Sequence, residues 1–279
     1  MGDLTEEKLK DLELKAVKIR QLIIEMLVEA GSGHSAGPLG MADIFTAFYF
    51  HILNHDPKNP DMPDRDRLIL SNGHIVPVRY AAMALSGYFP LEELMTLRKI
   101  NSRLQGHPHA SSLPGLETTS GPLGEGLSQA IGVALASKLD GKKFQTYCIT
   151  SDGEHQEGNT WEAVMFAAKY KVNLINIIDR NYIQIDGNTE DVMPLDPLKE
   201  KYEAFNWHVI EVDGNNIKAF VESVEQAKKS DKPVFIIART VPGKGVSFME
   251  NDFTWHGKPP SKEEADLALK ELKQLATSG

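Results

Sequence analysis

Asp152 and Asn181, an acid and an amide, stand 29 positions apart in this 279-residue chain, each just behind a short apolar run. The runs, Phe144 to Thr150 and Val172 to Ile178, read as β-strands, followed by SDGEHQEG and DRNYIQIDG. One strand–helix–strand crossover fits between them, which places the two side chains on neighbouring strand ends, about one strand spacing apart. In an open parallel sheet, ligands bind at the carboxyl ends of the strands. A carboxylate and an amide oxygen there make half of a site for a hard cation. Magnesium takes six oxygens in near-octahedral geometry and usually draws several from phosphates. A main-chain carbonyl, two diphosphate oxygens and a water would complete the shell, and Gly153 lets the backbone approach a diphosphate closely. Either piece alone is an ordinary turn. The extended patterns D-G-x-x-x-E-G and D-x-N-x-I-x-I-D-G, at this spacing, point to a site.

Histidine is the next candidate chemistry. His34, His74, His107 and His256 lie in Gly- or Pro-rich loops rather than on periodic faces, a placement that favours function. Titrating near neutrality, they could donate hydrogen bonds and move protons. With Lys258 they would also supply the local positive charge that a net charge of −9 withholds from an anionic ligand. His51, His55 and His208 sit in no motif, and His155 occupies a variable position inside the metal pattern. A zinc site from His34, His74, His107 and His256 is poorly supported, since no cysteines accompany them and no two of them stand as an H-x-x-x-H pair. The segment Val241 to Ser247, VPGKGVS, resembles a P-loop only superficially: the upstream glycine is missing and Lys244 is followed by glycine.

The elements that must position these residues read as an α/β chain, a parallel sheet with helices on both faces. Strands are expected at Arg67 to Leu70, Phe144 to Thr150, Val172 to Ile178, His208 to Val212 and Val234 to Ala238. Helices are expected at Leu4 to Ala30, Met41 to His51, Leu127 to Leu139, Thr160 to Tyr170, Leu198 to Phe205, Ile217 to Lys229 and Ser261 to Leu275. Gln105 to Gly126 is dense in Gly, Pro and Ser with almost no periodicity, and loops of that length in compact domains are usually functional. Residues 1–279 are read as one domain with a core that needs no staples. The acidic balance argues against a nucleic-acid partner. Cys148, the single cysteine, lies in an apolar stretch and reads as a small buried hydrophobe. No apolar run approaches membrane-spanning length and no signal peptide opens the chain, so the expected location is cytoplasmic.

At these residues the chain resembles the transketolase family. The pair S-D-G…N (Ser151 to Gly153, Asn181) is similar to its thiamine-diphosphate motif, with Ser151 where the first glycine is usual. SGHSAGPLG (Ser32 to Gly40, with Ser35 where proline is usual), LSNGH (Leu70 to His74) and GHP (Gly106 to Pro108) match in order. So do TTSGPLGEGLS (Thr118 to Ser128) and WHGKP (Trp255 to Pro259), and the resemblance covers nearly the whole chain. It implies thiamine diphosphate with Mg2+, or Ca2+ or Mn2+ in its place, held by the side chains of Asp152 and Asn181 and the carbonyl of Ile183. It implies that His74, His256 and the Gly153 amide contact the diphosphate. Gly121, Pro122 and Leu123 would line the middle of the cofactor, and Ile185 would pack on a ring. His34, His107 and His256 would line the substrate channel, where they could bond sugar hydroxyls. Glu157 and Glu162 match acids that point to the subunit interface and the partner's active site.

The same resemblance implies ketol transfer: a two-carbon unit moves from a ketose (phosphate) to an aldose (phosphate). The glutamate that activates the cofactor in this family lies on a second, pyrimidine-binding domain, and whole transketolases are about twice this length. The chain is therefore similar to the N-terminal subunit of a split transketolase, expected to work with a C-terminal, pyrimidine-binding subunit, two copies of each, on sugar-phosphate substrates. Alternatives are the alpha subunit of a 2-oxo acid dehydrogenase, which lacks the GHSAGPLG and SNGH segments, a related thiamine-dependent sugar synthase, and an inert binding module.

Overall fold

In chain order the strands are β1 (Arg67–Leu70), β2 (Thr146–Ser151), β3 (Ile175–Arg180), β4 (Ile183–Gln184), β5 (Gly187–Asn188), β6 (His208–Asp213) and β7 (Val234–Arg239). The computed structural model describes residues 2–278. β1, β2, β3, β7 and β6 pair in that order into one parallel sheet, while β4 and β5 form a small antiparallel hairpin. Each central strand is buried on both faces, which suits near-continuous Ile and Val runs. Alternate residues feed different cores: Tyr147, Ile149, Ile175 and Ile177 join one cluster, and Cys148, Ile178, Phe235 and Ile237 the other. Cys148 is fully buried, as its apolar neighbours suggest.

The helices run α1 (Glu6–Ala30), α2 (Ala36–Gly40), α3 (Ala42–Ala47), α4 (Val76–Ser86), α5 (Glu125–Leu139), α6 (Gly158–Tyr170), α7 (Thr189–Val192), α8 (Leu198–Ala204), α9 (Ile217–Ala227) and α10 (Lys262–Ser278). On one face of the sheet α1, α3, α4, α9 and α10 enclose the larger core, and α5, α6 and α8 cover the other. α1 starts where the Thr5 hydroxyl accepts the Lys8 N–H, and ends at Gly31, whose φ of 62° is left-handed. No helix among the described residues is long and apolar enough to cross a membrane.

Differences from the sequence reading are local. β2 and β3 extend to Ser151 and Arg180, so Asp152 and Asn181 follow their strands directly. The expected helix from Met41 divides into α3 and a wider turn at Phe48–Ile52. α4 was not anticipated; it opens with Pro77 in its first turn and is almost wholly buried on every side, Arg79 included.

Candidate functional site

β2 and β3 are adjacent and parallel, with Ser151 opposite Asp179, so Asp152 and Asn181 emerge side by side. Side-chain hydrogen bonds hold the two turns in place. Oδ2 of Asp152 accepts the Tyr182 N–H at 2.7 Å and the Thr189 hydroxyl at 3.4 Å. Oδ1 of Asn181 accepts the Ile183 N–H at 3.0 Å, and its Nδ2 donates to Asp179 at 2.9 Å. Asp179 in turn accepts the Thr240 hydroxyl, which holds the Asn181 amide in one orientation.

Asp152 is 1% exposed, and its Oδ1 has no hydrogen-bond partner; it faces Nη1 of Arg180 at 3.1 Å. Arg180 is equally buried, pairs with Glu190 at 2.7 Å and Asp196 at 3.0 Å, and lies over the Tyr182 ring. Burial pushes the Asp152 carboxyl up to about 6, against the pull of Arg180, and burial pushes Asp179 up to about 7. A buried carboxylate whose Oδ1 meets only the Arg180 guanidinium, beside an oriented amide oxygen and the Ile183 main chain, is a set of hard oxygen donors. That set fits magnesium or calcium. No group of three His, Cys, Asp or Glu residues placed to hold a metal ion is found among the described residues.

Above these strand ends opens a cavity of about 340 Å³. Ser151, Gly153, Asn181 and Ile183 form its strand-end wall, and Gly121 and Leu123 come from the loop before α5. Nothing lies within 4 Å of the position a Cβ would take at Gly153, so the backbone there is open to a ligand. Ile185, 65% exposed, projects at the rim near Gly257. His34, His74, His107 and His256 all line the cavity. The rings of His34, His74 and His256 lie 4.9–5.6 Å apart between centroids. Nδ1 of His34 and Nδ1 of His256 are buried without partners, as expected of groups that await a polar ligand.

These histidines do not carry the positive charge expected from sequence. Burial lowers His34 to about 4, with His256, Arg98 and His107 adding to the effect. His74 is lowered far, first by burial and then by the same histidine neighbours. Burial also lowers His107 and His256. In the ligand-free chain these shifts favour the neutral imidazole, which both donates and accepts hydrogen bonds. Lys258 does not supply the charge either: its ammonium pairs with Glu264 at 3.0 Å and sits 3.9 Å from the centroid of the Trp255 ring. No lysine or arginine is among the residues that line the cavity.

Glu157 reaches the cavity rim, whereas Glu162 is exposed on α6 outside it, and Pro122 is exposed between Gly121 and Leu123. His155 is structural: its ring nitrogens bond the Ser151 carbonyl and the Tyr202 hydroxyl, both at 2.8 Å. The sequence reading missed Gln156 and Gln184, which also line the cavity, and Glu154 beneath it. No periodicity or motif marks them; their roles come from long-range contacts.

Residues 13–274 match the family model described as transketolase, thiamine diphosphate binding domain. The chain is 42% identical over 266 residues to the 6-deoxy-6-sulfo-D-fructose transketolase subunit SqwG of Clostridium sp. (strain MSTE9), covering 95% of this chain and 97% of that one. It is 42% identical over 265 residues to a subunit of the apulose-4-phosphate transketolase of Actinobacillus succinogenes, covering 94% and 96%. The crystal structure of transketolase from Campylobacter jejuni superposes with a TM-score of 0.89 at 36% identity. There the match covers 94% of this chain but 42% of the transketolase chain.

Proposed function

The chain belongs to the transketolase thiamine-diphosphate-binding domain family, and we propose from that premise that it is the diphosphate-binding subunit of a two-chain ketol transferase. Residues 1–279 would form a single domain, with the pyrimidine-binding domain on a partner chain, two copies of each. Relatives of the same length that are themselves named as subunits support the division.

When bound, thiamine diphosphate would supply the carbon nucleophile that accepts a two-carbon ketol unit from a ketose and passes it to an aldose. This chain's residues would anchor and orient it. Asp152, Asn181 and the Ile183 carbonyl would hold a divalent cation on the diphosphate, magnesium being the expected ion, with calcium or manganese able to replace it. The cation would also answer the charge problem, because burial disfavours positive charge on His34 and His74 and Lys258 is paired with Glu264. The Gly153 amide, His74 and His256 would contact the diphosphate. Gly121 and Leu123, with Pro122 between them, would line its middle, and Ile185 would cover a ring. His34, His107 and His256 would face the sugar and move protons at its hydroxyls. Glu157 and Glu162 would face the partner. Both relatives of this length are named for ketoses with an anionic substituent, which favours a sugar phosphate or similarly charged sugar as donor.

The observation that carries this reading is the pair Asp152 and Asn181 on adjacent strand ends, with one Asp152 carboxylate oxygen met only by the Arg180 guanidinium beneath the cavity. Calorimetric titration with thiamine diphosphate tests it. Saturable binding that needs magnesium and disappears in Asp152→Ala is expected, whereas normal magnesium-dependent binding by that variant would show the site to be misassigned.

A further inference from the structure

Glu154 lies wholly out of solvent at the junction of three segments that are distant in sequence. One carboxylate oxygen, Oε1, accepts the Gly124 N–H at 2.8 Å and the Ser71 hydroxyl. The other, Oε2, accepts the Ser151 N–H at 3.0 Å and lies 3.4 Å from the Ser151 hydroxyl. Ser71 Oγ also accepts the Gly126 N–H at 3.0 Å, which extends the network into the first turn of α5. The Glu154 carbonyl accepts the Thr160 hydroxyl at 2.6 Å and fixes the turn from below.

Each segment tied to this carboxylate carries part of the cavity wall. Ser71 is three residues before His74, Gly124 directly follows Gly121 to Leu123, and Ser151 directly precedes Asp152 and Gly153. The segments are packed without slack. A Cβ at Gly126 would sit 2.3 Å from the Ser71 side chain, and one at Gly124 would sit 2.3 Å from Oδ1 of Asn159. Strand pairing places Ser71 beside β2, and the Glu154 carboxylate adds the side-chain link from both to the Gly124 turn.

We propose that Glu154 is a positioning residue of the cofactor site, whose carboxylate aligns the His74 loop, the Gly121–Leu123 loop and the Asp152 strand end for diphosphate and metal binding. The proposal rests on the reading of the cavity as a thiamine-diphosphate site. The chemistry demands a carboxylate: donors approach both oxygens, so both must accept. Glutamine keeps the shape but has one oxygen, and its amide would oppose either the Gly124 or the Ser151 N–H. One wall of the cavity is then released while the core around it stays filled.

The test is calorimetric titration of the folded full chain with thiamine diphosphate and magnesium, for Glu154→Gln, Ser71→Ala and Asp152→Ala. A glutamate that served stability alone would lower the melting temperature and leave the dissociation constant of the folded protein unchanged. Positioning predicts a dissociation constant raised about 10-fold or more in Glu154→Gln, as for outer-shell partners of metal ligands, at temperatures where the variant is fully folded. Ser71→Ala removes one donor and should weaken binding less, with little change in melting temperature; it decides the matter if Glu154→Gln does not fold. Wild-type affinity in both variants, with binding lost in Asp152→Ala, overturns the proposal and leaves the site standing. Normal binding by Asp152→Ala overturns the site and this proposal with it.

Discussion

Arg180 and Asp152 face each other at 3.1 Å, each 1% exposed to solvent. Arg180 also reaches Glu190 and Asp196, so one guanidinium ties the end of β2 to the segment that follows the β4–β5 hairpin. Arg180→Met would leave Asp152 buried without its counter-charge. Removing one partner of a buried pair costs about 3–5 kcal/mol. A loss of that size is expected in the stability of the metal-free protein, read from its denaturant midpoint at neutral pH. An unchanged midpoint would mean that the clamp contributes nothing.

Asp179 gives a pH-dependent prediction. Its carboxyl is pushed up to about 7 by burial, whereas in the unfolded chain it titrates near 3.9. Between those values the native state holds a proton that the unfolded state has released. Stability contributed by this site therefore falls as pH rises from about 4 to about 7. Asp179→Asn stays neutral and can keep bonds to Thr240 and Asn181. The melting temperature of the wild type minus that of the variant should decline across this window in metal-free protein. A flat or rising difference contradicts the assignment.

Loss of His256 should affect chemistry more than folding. Its Nδ1 has no partner in the fold, so His256→Ala breaks no internal hydrogen bond at that atom. Turnover of the enzyme reconstituted with its partner should fall about 100-fold or more, the range for a positioned acid–base group. The melting temperature should move little. A fully active variant would reduce His256 to a lining residue.

The sheet was legible because its strands are short apolar runs at regular intervals. All five strands of the parallel sheet stand close to where the sequence places them, and Asp152 and Asn181 do emerge side by side. The strand ends ran late because Ser151, Asp179 and Arg180 are polar and read as loop, although each is buried in the sheet. α4 escaped notice because burial on every side erases the amphipathic period. The charge state of the histidines was misjudged for a related reason. Loop position suggests full solvation, but His34, His74 and His256 crowd against one another and are half-buried. Glu154 and Arg180 act through partners that a local pattern cannot reveal, such as Ser71, 83 positions from Glu154.

The claim at the centre of this account is that the chain supplies one half of a ketol-transferase site. Ketol transfer from a ketose phosphate to an aldose phosphate should therefore be measured with saturating thiamine diphosphate and magnesium, for the purified chain and for the chain mixed with a partner bearing the pyrimidine-binding domain. The account predicts no turnover alone and restored turnover on mixing. Robust turnover by this chain alone would contradict it.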